Sequence, residues 1–274
     1  MIACRTLGPV EILVDGGAPP PELLWRKNLA LLVYLARSPR HLRTREHLIG
    51  LLWADKPETA ARHSLREAVR ILRRCLGDSG VLHEAEQIGL EPGTIDLDTD
   101  RFDALAAAGD WRGAADLVGG EFLEGFSVPD ASTFEDWLTA ERATWRGRSV
   151  DALVRRAEEL GRAGQPLDAV AAANFALSLD RTSETAARTV MRSHALTGNR
   201  SAALETYAAL AARLIQELGT EPDGETQALA DRVRRERRWR VAEPAPRRMG
   251  AESRRAPLVG REAELGHLLD AWDA

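Results

Sequence analysis

ARHSLREAVRILRRCLG, Ala61 to Gly77, holds five arginines and a single acid, Glu67. On a helix turning about 100° per residue, Arg62, Arg66, Arg70 and Arg73 fall within an arc of roughly 80°, and His63 and Arg74 extend it. Leu65, Ala68, Val69, Leu72 and Leu76 gather on an adjoining arc, so one side of the helix can bury while the other presents guanidinium groups. Arg62, Arg66, Arg70 and Arg74 are like charges at i,i+4 spacing, which costs a few tenths of a kcal/mol per pair. A polyanion in front of that face removes the cost. Arginine's planar fork fits phosphate and also the O6/N7 edge of guanine.

The neighbouring sequence gives this helix a place. IACRTLGPVEILV, residues 2–14, reads as two short strands broken at Gly8-Pro9. RKNLALLVYLARSP follows with apolar residues at helical spacing and stops at Pro39. Thr44 is placed to cap a short helix, TREHLIGLLW. Asp55 to Glu58 has the spacing of a capping box with Pro57 in the first turn, and Gly77 suits the far end of the arginine helix. VLHEAEQIGLEPG then alternates weakly and turns near Glu86-Gln87, as a small hairpin does. Strand, strand, helix, helix, helix, hairpin is the order of a winged helix-turn-helix, whose third helix enters the DNA major groove.

On that reading Arg62, His63, Arg66 and Arg70 face base edges and nearby phosphates. Arg73 and Arg74, nearer the helix end, face phosphates. Arg43 and Arg45 are candidates for further phosphate contacts, with Arg26 and Lys27. The hairpin from Val81 to Glu91 has no Arg or Lys and three glutamates, so no minor-groove arginine is expected from the wing.

From about Arg101 the text changes to helical patterns parted by short Gly-containing turns. Setting Gly164 against Gly198 aligns Ala169 with Ala203, Val170 with Leu204 and Ala173 with Tyr207. The offset is the roughly 34-residue period of tetratricopeptide helix pairs, with a third copy near Gly109. Small residues at Ala169, Ala203 and Ala208 are expected where paired helices approach. The reading is therefore mainly α: a winged helix-turn-helix over 1–100, then an all-α tetratricopeptide-like domain over 101–238. A basic linker follows over 239–256, in a stretch beyond Asp231 that carries ten arginines.

Composition limits the function. The 274 residues carry a formal charge of −5, so nucleic-acid binding must rest on where the charge sits and not on its sum. Cys4 and Cys75 are too few for a disulfide framework or a zinc site. The start of the chain has no apolar signal core, and its longest apolar run, Leu29 to Ala36, is far below the roughly 20 residues of a membrane span. A cytoplasmic location with no membrane partner is expected. G-x-S-x-G, H-E-x-x-H and C-x-x-C are all absent, so neither an enzyme nor a cofactor is expected.

Residues 7–100 resemble the winged-helix domain of the actinobacterial antibiotic regulatory proteins, through LGPVEILVDG, WRKNLALLVYLA, TREHLIGLLW and LREAVRILRRCLG. Residues 101–230 are similar to the bacterial transcriptional activation domain of those regulators. AAAGDWRGAADLVGGEFLEGF, FEDWLTAER, MRSHALTGNRSAALETYAAL and the closing ELGTEPDGET carry that likeness. The resemblance implies a cytoplasmic transcription regulator that binds double-stranded DNA at direct repeats near promoters and contacts RNA polymerase, its helical domain serving polymerase contact or a homodimer. The acidic wing departs from the pattern. APLVGREAELGHLLDAW, Ala256 to Trp272, resembles the entry to the nucleotide-binding domain of larger members, and residues 257–274 read as its stub. The sequence holds no G-x-x-x-x-G-K-[ST], so ATP binding is not expected of it. Two other classes stay open: a protein-interaction adaptor built on a winged helix, and the regulatory half of a longer signalling ATPase.

Overall fold

A computed structural model describes residues 1–236. β1 (Ile2–Arg5) pairs antiparallel with β2 (Glu11–Val14), Ile2 opposite Val14. A third strand, β6 (Ile95–Leu97), joins the other edge of β1 in parallel. Between them in sequence lies the three-helix core. In α1 (Arg26–Arg37) every residue from Asn28 to Ala36 is buried, because RKNLALLVYLAR is apolar on nearly all sides and is packed on nearly all of them. Ser38 ends it, its hydroxyl donating to the Tyr34 carbonyl.

The short strand β3 (Leu42–Thr44) precedes α2 (Arg45–Leu52), and α3 (Glu58–Leu76) follows. Thr44 caps α2 as expected, accepting from the His47 N–H at 3.2 Å. The expected capping box on α3 does not form. Pro57 is the residue before the first turn and no side chain caps it, while Asp55 instead pairs with Lys27 across 3.2 Å. A proline there needs no donor of its own and presets the backbone for the helix. Gly77 closes α3 with φ of +80°, a conformation that favours glycine. The hairpin β4 (Val81–Glu84) and β5 (Gln87–Leu90) then pairs through β5 with β3, in the order β3-β5-β4.

Beyond β6 the described chain is helical: α4 (Asp98–Ala107), α5 (Trp111–Asp116), α6 (Ser132–Arg162), α7 (Pro166–Leu179), α8 (Glu184–Leu196), α9 (Arg200–Leu218) and α10 (Gly224–Arg235). Gly109, Gly164 and Gly198 each stand at a positive φ of 75–78°, two residues before the next helix starts. The repeated helix-turn-helix pattern is thus present at all three. Ala169, Ala173 and Ala203 are fully buried where the helices meet, but Ala208 faces solvent on α9 and does not serve that contact.

The closing ELGTEPDGET has a physical role. Gly219 ends α9 in the left-handed conformation, and Asp223 caps α10 by accepting from the Thr226 N–H at 2.6 Å. Arg188 of α8, nearly buried, donates to the Asp223 carboxylate at 2.9 Å and to the Thr226 hydroxyl at 2.8 Å. Its other terminal nitrogen lies 3.3 Å from Glu225. One guanidinium therefore holds the last described helix against the repeat.

The winged-helix part and the helical part share one apolar core running from Ile2 to Ala186. Leu7 bridges to Phe122, the Tyr34 ring meets Trp137 edge-on at 5.0 Å, and Arg37 lies over Trp145 at 5.1 Å. Arg142 donates to the Phe122, Leu123 and Phe126 carbonyls, which shapes the loop that docks on residues 6–9, just after β1. The basic linker and the APLVGREAELGHLLDAW segment, Trp239 and Trp272 included, lie outside the described residues.

Candidate nucleic-acid interface

The arginine helix divides as its sequence spacing requires. Ala61, Leu65, Ala68, Val69 and Leu72 are at most 4% exposed, joined by Ile71 and Cys75, while Leu76 is half-buried at the edge. Arg62, His63, Arg66, Arg70 and Arg74 are exposed. Arg73 is half-buried beside the wing, and its Nε is buried without a hydrogen-bond partner among the described residues. The helix therefore offers a continuous cationic face along its length, with its apolar side fixed on α1 and α2.

Three of the arginines are engaged within the molecule. Arg62 pairs with Glu58 at 2.6 Å, Arg70 with Glu67 at 2.8 Å, and Arg74 with Glu22 at 3.1 Å. The Glu22 carboxyl is held below its ordinary value, first by its own backbone N–H and then by the Arg74 guanidinium. Glu58 and Glu67 are only three or four residues from their partners. All three pairs are solvent-exposed, and such pairs contribute about 0–1 kcal/mol, so a phosphate can displace the carboxylate. Arg66, at the middle of the face, has no carboxylate partner among the described residues.

The two candidates on α2's side behave differently from each other. Arg43 is half-buried, its guanidinium stacked 5.7 Å from the centre of the Tyr34 ring, and its Nε is buried without a partner among the described residues. Arg43 thus packs beside Tyr34 and His47. The Tyr34 hydroxyl and His47 Nε2 lie 2.6 Å apart, and burial, then the Arg43 charge, pushes the His47 imidazole down. Arg45, at the first turn of α2, points to the wing and donates to His83 Nδ1 at 2.9 Å. Lys27 is engaged with Asp55 and, at 3.8 Å, with Asp130, whereas Arg26 is exposed.

A cleft of about 880 Å³ lies between the start of α2, the first half of α3 and the wing tip, lined by Arg45, Arg62, Arg66, Glu46, Glu58 and Glu86. The wing tip turns at Ala85, which takes a positive φ of 50°, between the exposed Glu84 and Glu86. Two further basic residues stand here that the sequence reading did not single out. His83 sits on β4 close to the wing tip, and Lys56 donates to the Ser64 hydroxyl at 3.0 Å in front of α3. Lys56 was visible as a base just before the helix, whereas His83 carries no motif. Among the described residues no group of His, Cys, Asp or Glu is arranged to hold a metal, and no helix is long and apolar enough to cross a membrane.

A helix-turn-helix pair with a wing, built onto stacked helix pairs, defines the class: a winged-helix regulator with a helical-repeat partner domain. The family model described as the bacterial transcriptional activator domain matches residues 96–234, just over half of the chain. The chain belongs to that family, and its order of winged helix followed by activator domain is that of the actinobacterial antibiotic regulatory proteins. Transcriptional regulatory protein MoaR1, in both Mycobacterium tuberculosis and Mycobacterium bovis BCG, is 26% identical over 266 residues, covering 85% of this chain and 79% of the relative. The structure of Mycobacterium tuberculosis EmbR in complex with a low-affinity phosphopeptide superposes with a TM-score of 0.68 at 23% identity. The match covers 87% of this chain and 66% of the EmbR chain, and shows a shared fold. The protein is a regulator of transcription.

Proposed function

We propose that this regulator binds double-stranded DNA in a sequence-specific way, with α3 in the major groove. Arg62, His63, Arg66 and Arg70 meet base edges and adjacent phosphates, and Arg73, Arg74 and Arg45 meet the backbone. The observation that carries the reading is Arg66: exposed, central on the cationic face and without a carboxylate partner among the described residues. Its flanking arginines are held only by exposed ion pairs, so the helix can exchange carboxylates for phosphates at little cost. The protein acts as an activator on direct repeats near promoters, with two copies in tandem and RNA polymerase as the protein partner. A groove of about 470 Å³ between α7, α8 and α9, lined by Leu177, Leu210, Arg181 and Arg213, offers that partner one place to insert a side chain on the helical domain.

The test is selection of bound duplexes from a random pool at stated salt, repeated with Arg66→Ala. A recovered repeat whose binding collapses in the variant is expected. A pool without a preferred repeat, or a variant that binds like the parent, would sink the reading and favour the adaptor, for which the three intramolecular ion pairs speak.

A further inference from the structure

The wing, close to its tip, holds a cluster that neither the motif pattern nor the family likeness assigns. Three basic side chains from three elements converge there: Arg45 from α2, Arg73 from α3 and His83 from β4. Arg45 Nη2 and His83 Nδ1 are 2.9 Å apart. A guanidinium has donors only, so Nδ1 must supply the lone pair. The ring is therefore neutral in this arrangement, with its proton on Nε2.

Its surroundings are cationic. The charges that act on His83 are Arg73 and Arg45, and both, after burial, lower its proton affinity below the ordinary histidine value. The residue opposite it on β5 is the uncharged Ile88. Glu84 and Glu86 on its own hairpin are exposed to solvent. Neither Arg45 nor Arg73 has a carboxylate partner among the described residues, in contrast to Arg62, Arg70 and Arg74. Arg73 also keeps its Nε buried and unbonded among them. Two guanidinium groups and an imidazole thus gather with no carboxylate bonded to any of them among the described residues, although Glu46 and Glu86 border the same cleft as Arg45, and this arrangement suits an incoming anion.

We propose that Arg45, Arg73 and His83 form a clasp for a DNA backbone phosphate near the wing tip, and that seating the phosphate draws a proton from solvent onto His83. The inference rests on the DNA-binding reading above and adds a residue and a pH linkage to it. The phosphate takes over the Arg45 donor now spent on Nδ1. Nδ1 is freed, accepts the proton and becomes a second donor, and the anion's charge offsets the repulsion among three cations. The wing then contributes to DNA binding without an arginine, through a histidine oriented by the helix beside it.

The experiment measures the affinity of the full chain for a short labelled duplex of random sequence, at constant ionic strength, from about pH 8 to pH 5.5. All proteins carry His63→Gln, since His63 also faces the DNA side. The clasp predicts affinity rising about tenfold as pH falls, the equivalent of a one-unit shift on one group. His83→Gln flattens that rise while keeping the salt dependence set by the other phosphate contacts. In the His63→Gln protein, the His83 ring resonance titrates at higher pH with duplex than without it. An equal pH profile in the His83→Gln protein, or a His83 resonance unmoved by duplex, overturns the clasp and leaves the DNA-binding reading standing. Absence of duplex binding at every pH by the chain with His63 intact overturns that reading, and the clasp falls with it.

Discussion

Asp98 grips the backbone of Thr6: its carboxylate accepts from the Thr6 N–H and from the Thr6 hydroxyl, each at 2.7 Å. The Leu7 N–H adds a third bond at 2.8 Å, and Asp98 and Thr6 are both buried. Asp98 opens the helical part and Thr6 follows the first strand, so three hydrogen bonds fasten the two halves at one point. Replacement by Ala leaves two buried N–H groups and a hydroxyl unsatisfied. Asp98→Ala is expected to cost about 3 kcal/mol, at the rate of one or more for each stranded group. Because the halves share a core, denaturant unfolding of the described unit stays a single transition at a lower midpoint. Two separated transitions would show that the halves are not fastened in this way.

The Arg188 clamp on α10 carries a pH dependence. Asp223 is held below the ordinary carboxylate range first by the Thr226 N–H, then by the Thr226 hydroxyl and the Arg188 guanidinium. A carboxyl lowered on folding contributes stability that is fully present above its unfolded value, about 3.9, and is lost as pH falls through the folded one. Amide exchange in α10 should accelerate only below about pH 4, after correction for intrinsic rates. Arg188→Met should loosen α10 at neutral pH by about 2 kcal/mol, toward the low end for a broken pair because Asp223 and Glu225 are half-exposed. Exchange in α10 that is unchanged in this variant would mean that the helix is held by its apolar face alone.

What the sequence made legible is the local part of the design. Helix α3, its buried leucines, the Thr44 cap, the glycine turns and the wing follow from short-range spacing, and each is read within a few residues. The misses are non-local or too short to show a period. β3 and β6 have three residues each, too few for alternation to register. Pro57 displaced the expected capping box because Asp55 found Lys27, 28 residues away, instead. The Arg74–Glu22 and Arg45–His83 contacts join residues far apart in sequence, so the arginine count alone could not tell engaged from unengaged groups. Ala208 has the right residue type for a helix contact and the wrong face.

Gly89 sets the approach of the wing to β3. A Cβ there would lie 2.5 Å from the Leu42 side chain and 2.6 Å from the His41 carbonyl oxygen. Leu42 can turn aside, but the carbonyl belongs to a backbone already at positive φ in Arg40 and His41. Gly89→Ala should cost about 1–3 kcal/mol, the usual range for overpacking. The wing should also detach first, seen as faster exchange in β4 and β5 than in α1. An unperturbed variant would show that the three-stranded sheet yields without strain.

The arginines of α3 should separate by salt and by sequence. Arg66→Ala removes a proposed base contact, so affinity for a selected repeat should fall by about 1–3 kcal/mol while binding to random duplex falls less. Arg73→Ala and Arg74→Ala remove proposed phosphate contacts. Each should weaken both duplexes alike and reduce the slope of log affinity against log salt by about one. Arg74→Ala also frees Glu22, leaving an acid near the DNA side, so its loss should exceed that of Arg74→Gln in a Glu22→Gln background. Equal losses in the two proteins would show that Glu22 lies outside the field of the bound DNA. An Arg66→Ala protein that loses specific and random binding equally would move Arg66 from the readers to the anchors, and would place sequence recognition on Arg62, His63 and Arg70.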